Sequence, residues 1–593
     1  MTARAAKRQR LLEPTPSASR HRMIVGIDYG TTYTDTGISF VTTDKTELED
    51  ISVIRTWPGK DGEWKTPTRI AYRTENPKLQ ADSWGYQVKP TMIPCSWTKL
   101  LLDAETIRQE SDDPELEAAI DSGCLRLPPG LTAQRVAGDF LSKVYEHMRS
   151  KLVKELGQEV FDSTPMDCWL TVLAVWSDRA QSLTKAAAMQ AGFAVRTGDT
   201  ISVIPEPEAA AVSVLRSMAR SDSLSNIQAG ETILICDCGG GTVDITSYSI
   251  VETEPIPVFE EACVGTGGKC GASSIDRSLQ KLMSERFGAA WDDLPLRQRG
   301  PGSRFMNEWE NVKRGFGEPG AEDEPEVYLV LEGDHDDKFY DSDENTVRFT
   351  NDDLKGVFET TMEEVLNLIA KQKGSIEEGG KKLDRIALVG GFGDSSYLHS
   401  RVKDWALRNG NIDVVCPAHP QAAIVRGAAL RGLLGMAPRK KRCRRHYGIS
   451  LGLPFREGVD PQDLAYVDTW TGEKRCSKRM IWLFNKGEDI TEATVRRTSA
   501  YSTVAVGASR HVEFTLYSCN LDMAPEYIDQ SLEENGMISI YLDRSSMRHL
   551  QSKNGYYKVD TEVEILFGSK SGTLDVKVIR DGKVKGNATI VYN

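Results

Sequence analysis

Residues 233–246 read ILICDCGGGTVDIT: an apolar, strand-like run, then Asp-Cys-Gly-Gly-Gly-Thr, then a second aspartate. Glycine loses more conformational entropy on folding than any other residue, so three in succession beside a strand need a reason. Either the segment is an ordinary hairpin turn, or something approaches its backbone closely. The stretch IVGIDYGTTYTDTGI at 24–38 has the same layout, with Asp28 falling on Asp237, Gly30 on Gly239 and Asp35 on Asp244. Two matched copies roughly two hundred residues apart imply two similar α/β units, each opening on a β-hairpin.

Turns of this kind carry specific chemistry. Glycines and small hydroxyl residues let backbone N–H groups converge on a concavity that binds anions. In the first copy those residues are Gly30, Thr31 and Thr32, with Tyr33 beside them as a further nucleotide-site candidate; in the second they are Gly239, Gly240, Gly241 and Thr242. A carboxylate at the strand end, Asp28 or Asp237, suits magnesium, which keeps several waters and takes few direct protein ligands. Two such turns facing each other would clamp one triphosphate.

The bulk numbers set the frame. At 593 residues the chain exceeds one core and implies three or four domain-sized units. A formal net charge of -13 argues against general nucleic-acid binding. No apolar stretch approaches the ~18 residues needed to span a bilayer, so no membrane partner is expected. The 11 cysteines form no C-x-x-C pair and fit a reducing, cytoplasmic compartment. Cys236 and Cys238 share one face of a strand, which leaves a metal or redox pair open beside small buried hydrophobes. Residues 1–22 are basic with a single acid, Glu13, and lack a secretory core. A disordered arm, a nuclear signal and a transit peptide all fit them.

The two hairpins resemble the nucleotide-binding hairpins of the actin, hexokinase and 70-kDa heat-shock protein superfamily. Four further motifs follow in the family's order. VIPEPEAAAVSVL at 203–215 resembles the connecting helix, its leading glutamate being Glu206. FMNEWENVKRGFG at 305–317 resembles the helix bracketing the nucleoside, with Glu310, Lys313 and Arg314 at the matching positions. RIALVGGFGDSSYL at 385–398 resembles the adenosine loop, with Gly390 and Gly391, and HPQAAIVRGAAL at 419–430 the helix closing the second lobe. The heat-shock proteins are the nearer relatives. Glu208, WTKLLLD at 97–103 and GGKCGASSID at 267–276 resemble a divergent heat-shock 70-kDa protein 12-like branch, abundant in fungi.

The resemblance implies two actin-like (ribonuclease H-like) ATPase lobes, about 23–220 and 221–435, binding ATP or ADP with Mg2+. It assigns Asp28 and Asp237 to magnesium through waters, and Glu206 to orienting ion and nucleophile. Lys99 is the candidate cation at the γ-phosphate, with Asp237 and Thr242 completing the catalytic set; a solvated or core lysine is the plain alternative. Arg314 would stack on adenine, and Glu310 and Lys313 would bond the ribose, unless the three are an exposed charged helix face. Gly271 would close on the phosphates. No G-x-x-x-x-G-K-[ST] occurs, because Cys270 follows Gly268-Lys269.

After Gly435 the character changes. Six of the seven residues 439–445 are basic, where the family has a short acidic-aliphatic linker. A solvated linker at 436–446, a nuclear-import signal and a patch for an acidic partner remain open. From 447 to 593, alternating runs such as Val512, Phe514, Leu516 and Ile538, Ile540, Leu542 and Leu574, Val576, Val578 read as antiparallel β-structure. This places a small mainly-β domain without a helical lid where the family binds peptide. Leu173 stands in place of a proline and Gln181 in place of a signalling arginine, so ATP is expected to shift peptide affinity less than about tenfold.

The leading functional expectation is an ATP-binding, slowly hydrolysing, chaperone-like protein acting on an unknown polypeptide, with a nucleotide-exchange or co-chaperone partner. The alternatives are a non-hydrolysing nucleotide-dependent scaffold and a small-molecule kinase on the same fold, which would need a further carboxylate base.

Overall fold

The computed structural model describes residues 22–41, 51–103, 125–174, 176–219, 226–333, 335–491, 493–507, 511–542, 547, 550–566 and 575–588. The arm expected at 1–22 lies outside them except for Arg22. That residue opens the first strand, because its guanidinium bonds Asp167 on the neighbouring strand, Nε to Oδ2 at 2.6 Å. Leu574 is also outside.

The first sheet is built on a hairpin of β1 (Arg22–Tyr29) and β2 (Tyr33–Val41). β3 (Met166–Val172) runs parallel to β1, and β4 (Thr200–Pro205) parallel to β3. β1 is buried at every position after Arg22, as expected of a strand covered on both faces. Met23, Val25 and Ile27 pack toward α1 (Ala133–Leu156) and α2 (Asp178–Ala191), while Ile24 faces the opposite layer. From β4 the chain passes directly into α3 (Glu206–Ala219). Pro207 fits there because a first-turn residue has no intrahelical N–H bond to lose.

The second sheet repeats this topology. Its hairpin is β5 (Thr232–Cys238) and β6 (Val243–Glu252), with β7 (Val258–Glu261) added outside β6. β8 (Arg385–Val389) runs parallel to β5, and β9 (Asp413–Val415) parallel to β8. Its outer face is covered by α4 (Ala272–Phe287), α5 (Arg304–Gly315) and α6 (Asn351–Glu378). α6 opens on the capping box Thr350–Asp353 that its sequence anticipates. Next come α7 (Ser396–Arg408) and α8 (Ala423–Leu434). The acidic stretch before α6 forms a small sheet of Glu326–Tyr328, Thr346–Arg348 and Tyr340–Asp341. Among the described residues no helix is long and apolar enough to cross a membrane.

α3 and α8 form the layer between the two sheets, in one cluster with Ile24, Ile204, Ile233, Ile235 and Val389. α8 does not simply close the second unit. Its backbone lies on β1, where a Cβ on Gly26 would stand 2.4 Å from the Val425 carbonyl oxygen. The reason is that α8 is apolar nearly all round, so neither face can be left in water. Where it crosses α3, a Cβ on Gly427 would sit 1.7 Å from the Ala209 carbonyl oxygen. Gly427→Ala should therefore cost about 1–3 kcal/mol or more by forcing the helices apart. Thermal unfolding of the variant would show a lower Tm; an unchanged Tm would mean the crossing relaxes freely.

The C-terminal strands form two facing sheets. One contains β10 (His446–Pro454), β11 (Lys474–Phe484), β13 (His511–Cys519) and β14 (Glu533–Tyr541). The other contains β12 (Val495–Ala505), β15 (Tyr556–Leu566), β16 (Asp575–Arg580) and β17 (Lys583–Ala588). Ile449, Leu516 and Ile538 of the first meet Val504, Val563 and Val576 of the second in one core. The alternation seen in the sequence is this buried face.

The basic run 439–445 is not a solvated linker. Its backbone lies beside β7, with Arg439 N–H donating to Phe259 and Glu261 N–H to Lys440. Its side chains find acids within the chain. Arg439 bonds Glu260 at 2.7 Å, Lys441 pairs with Glu208 at 2.7 Å, and the Arg442 N–H donates to Glu261 at 2.6 Å. Arg445 reaches Glu533 on β14 at 2.6 Å. Burial raises the Glu261 pKa, and Arg444 is the largest opposing influence. Glu261→Gln should release the run and speed tryptic cleavage within 439–445 several-fold. Cleavage at the native rate would show that the β7 backbone pairing holds the run without its charges.

Candidate nucleotide site

The two hairpins place their carboxylates identically. Asp28 faces Asp35 across the first, and Asp237 faces Asp244 across the second. The hairpins also touch tip to tip. A Cβ on Gly240 would lie 1.8 Å from Thr32 Oγ1, and one on Gly241 would lie 2.6 Å from Thr31 Oγ1. That answers why glycines interrupt the strand: at Gly240 and Gly241 the opposite hairpin occupies the space a side chain would need, and at Gly239 the turn's own Thr242 carbonyl stands 3.1 Å from where a Cβ would lie. Gly239 N–H closes the turn onto the Thr242 carbonyl at 2.9 Å. The start of α4 seals its back, with Ala272 and Ser273 N–H groups donating to Gly239 and Gly240. Gly271 is packed against that turn, since its Cβ would meet Thr242 N at 2.6 Å.

Beside the tips opens a cavity of ≈ 290 Å3. Of the residues expected at the nucleotide, Thr32, Tyr33, Gly240, Glu310, Lys313, Arg314 and Gly391 line it. Gly30, Thr31, Gly239, Gly241 and Thr242 belong to the hairpins themselves and do not line it. Gly390 stands behind, at φ +84°, where a Cβ would fall 2.4 Å from Asp237 Oδ1.

Glu310, Lys313 and Arg314 are tied together rather than presented as a free charged face. Lys313 Nζ bridges Asp276 and Glu310, both at 2.8 Å, and Arg314 Nε donates to Glu310 at 2.8 Å. The Arg314 guanidinium lies 5.5 Å from the centre of the Tyr33 ring, and both line the cavity.

Asp28, Lys99, Glu206 and Asp237 do not line the cavity; they belong to a buried, carboxylate-rich floor that Lys65 joins to it. Thr171 Oγ1 donates to Asp28 at 2.7 Å, and Lys99 Nζ donates to Glu206 at 2.6 Å. Lys99 is 1% exposed and lies over the rings of Trp176, at 5.3 Å, and Tyr29, at 5.9 Å. Burial pushes the Glu206 pKa up to about 7 against the pull of Lys99, with Asp28 and Asp244 adding to the rise. Burial also holds Asp237 well above the usual carboxylate range, reinforced by Glu206, Asp244 and Asp28.

Lys65 escaped the sequence reading. Its Nζ stands 3.6 Å from Asp28 and 3.8 Å from Asp35, and it lines the cavity. Trp64, Tyr86, Asp276 and Gln421 line it too. The GEWKTP segment offered only an aromatic-basic pair before Thr-Pro, with no periodicity to mark it.

Oxygen donors at this floor fit a hard divalent cation, and Asp237 Oδ1 is buried without a hydrogen-bond partner. Among the described residues no three His, Cys, Asp or Glu side chains converge to ligate a metal directly. Cys236 and Cys238, with sulfurs 3.5 Å apart, are fully buried in the second core and read as small hydrophobes.

Comparison with known proteins agrees with this geometry. The family model described as Hsp70 protein matches residues 104–441, more than half of the chain. The chain belongs to the Hsp70 family. Human heat shock 70 kDa protein 12B is 24% identical over 89% of this chain and 85% of its own. Human heat shock 70 kDa protein 12A is 23% identical over 88% and 85%. The chaperone protein DnaK of Anaplasma marginale is 26% identical over 47% of this chain and 40% of its own. It is thus a divergent Hsp70, and the nucleotide-binding, chaperone-like character of that family comes with membership. The first hairpin and Lys99 precede the matched span, so their place rests on the duplicated register and the Lys99–Glu206 pair.

Proposed function

We propose that this protein binds ATP with magnesium between its two hairpins, hydrolyses it slowly, and engages a polypeptide through its β-sandwich. The carrying observation is the pair of facing hairpins with matched aspartates above the buried Lys99–Glu206 pair. In this reading each sheet with its outer helices is one lobe, and the α3–α8 layer is their hinge.

Phosphoryl transfer to water is mostly positioning plus electrostatics. Magnesium, when bound, supplies charge neutralisation for the phosphate oxygens. Asp28 and Asp237 would hold its water shell, and Thr31, Thr32, Thr242 and the turn N–H groups of both hairpins would cradle the phosphates. Lys99 supplies the cation at the γ-phosphate. Glu206, as its carboxylate, accepts from the attacking water. Arg314 and Tyr33 clasp the base, Glu310 and Lys313 the ribose, and the backbone of Gly390 and Gly391 the adenosine edge. The cytoplasm is the compartment we propose, on the free cysteines.

Glu206 gives this mechanism a pH signature. Its pKa near 7 means that the active carboxylate forms as pH rises through that value. The single-turnover rate should therefore climb from pH 6 to pH 8, and a flat profile would remove Glu206 from the chemical step. The reading as a whole is tested by single-turnover hydrolysis on the full chain, with and without an unfolded polypeptide. Turnover above background that polypeptide alters supports it. Tight ATP binding with no turnover would leave a nucleotide-dependent scaffold.

A further inference from the structure

Where the two sheets meet the sandwich, a second cleft of ≈ 630 Å3 opens, sharing no lining residue with the nucleotide site. Its walls come from three parts of the chain. Trp176 follows β3, residues 262–267 follow β7, and Lys371 projects from α6. Arg442, Arg444 and Arg445 come from the docked run, and Lys486 from the turn after β11. These five cations face two lining carboxylates, Glu378 and Asp522.

The acids that hold these cations differ in exposure. Asp522, which pairs with Lys486 at 3.0 Å, is 97% exposed, and Asp489 and Glu533, which pair with Arg442 and Arg445, are each 48% exposed, whereas Arg444 is held by the buried Glu261 at 3.6 Å. A pair whose acid is as open to water as Asp522 contributes little and yields readily to a multivalent competitor. Trp176 adds an independent sign. It is 3% exposed, its indole Nε1 has no hydrogen-bond partner, and an indole N–H can only donate. A buried donor left unmade is costly, and an anionic oxygen in the cleft would satisfy it.

We propose that this junction cleft binds a soluble small molecule carrying several phosphate groups, and that its occupant fastens the sandwich to the nucleotide-binding part. Three guanidiniums within four residues offer the forked donors that match phosphate oxygens. The volume lies within the ~300–1,000 Å3 of small-molecule sites and suits a compact ligand better than an extended strand. The Trp176 ring also lies beneath Lys99, so the occupant would rest against the support of a residue we place at the γ-phosphate.

The test is calorimetric titration of the full chain with inositol hexakisphosphate after ADP has saturated the nucleotide site. The expected result is one site whose affinity falls with ionic strength. Lys371→Glu and Lys486→Gln should each weaken it about tenfold or more, whereas Asp237→Asn should leave it unchanged. Because Asp237→Asn is aimed at the nucleotide site alone, failure there and failure here are distinguishable. Occupancy should also slow tryptic cleavage within 439–445. Binding that vanishes once ADP is present, or that persists in both cation variants, would overturn the site. Tighter binding of a glutamate-rich peptide by the same cations would make the cleft a polypeptide-docking face instead. Unaltered cleavage would overturn the fastening.

Discussion

Lys99→Met should slow hydrolysis of bound ATP by about 10²-fold or more, roughly 3 kcal/mol of transition-state stabilisation. The ammonium is buried, held at 2.6 Å by Glu206 and set over two aromatic rings, so it enters the reaction already oriented. Removing one partner of a buried ion pair ordinarily strands the other at a cost of about 3–5 kcal/mol. Here Glu206 has a way out. Its pKa is already pushed up to about 7, and without Lys99 it would take a proton and remain buried as a neutral acid. The variant should therefore fold, bind ATP with little loss, and fail at the chemical step. Single-turnover rates set beside binding titrations would separate the two effects. Undiminished turnover would transfer the role to Lys65, the cation sequence reading overlooked.

Asp237→Asn should act in opposite directions on binding and stability. Loss of the carboxylate removes a magnesium-facing charge, so magnesium-dependent ATP affinity should fall by about tenfold or more. The ligand-free protein should gain stability. Burial holds the folded-state pKa of Asp237 well above the usual carboxylate range, so its protonated form is the one that stabilises the fold. That contribution is complete below the unfolded value and is lost as pH rises through the folded one. Asparagine carries no charge at any pH. The Tm of the variant should then exceed that of the native chain at pH 8, and the gap should narrow toward pH 4. Unchanged magnesium-dependent binding would remove Asp237 from the site; a lower Tm at pH 8 would mean its carboxylate is satisfied in ways the geometry does not show.

Much of the nucleotide-binding half was legible because its signals are local. Each hairpin advertises itself through an apolar run, a turn of small residues and an aspartate pair, and the strand register pairs Asp28 with Asp35 and Asp237 with Asp244. The capping box at Thr350 and the alternating faces through Val512, Phe514 and Leu516 and through Ile538, Ile540 and Leu542 were readable for the same reason. What escaped depends on distant partners. The basic run read as solvated because its acids, Glu208, Glu260 and Glu261, lie far earlier in the chain. Position in sequence assigns α8 to the second unit, whereas its nearly all-round apolar surface requires a place between both sheets. Lys65 stayed hidden because a lysine reaching two buried aspartates looks, in sequence, like any surface lysine.

The facing hairpins as a magnesium-nucleotide clamp are tested most directly by equilibrium titration of the purified full chain with ATP, with and without magnesium, on the native protein and on Gly240→Val. The account predicts one nucleotide per chain, bound more tightly with magnesium. It also predicts loss of that binding in the variant, whose side chain would have to occupy the space held by Thr32. Absence of ATP binding in the native chain, or equal binding by the variant while its fold is intact, would contradict it.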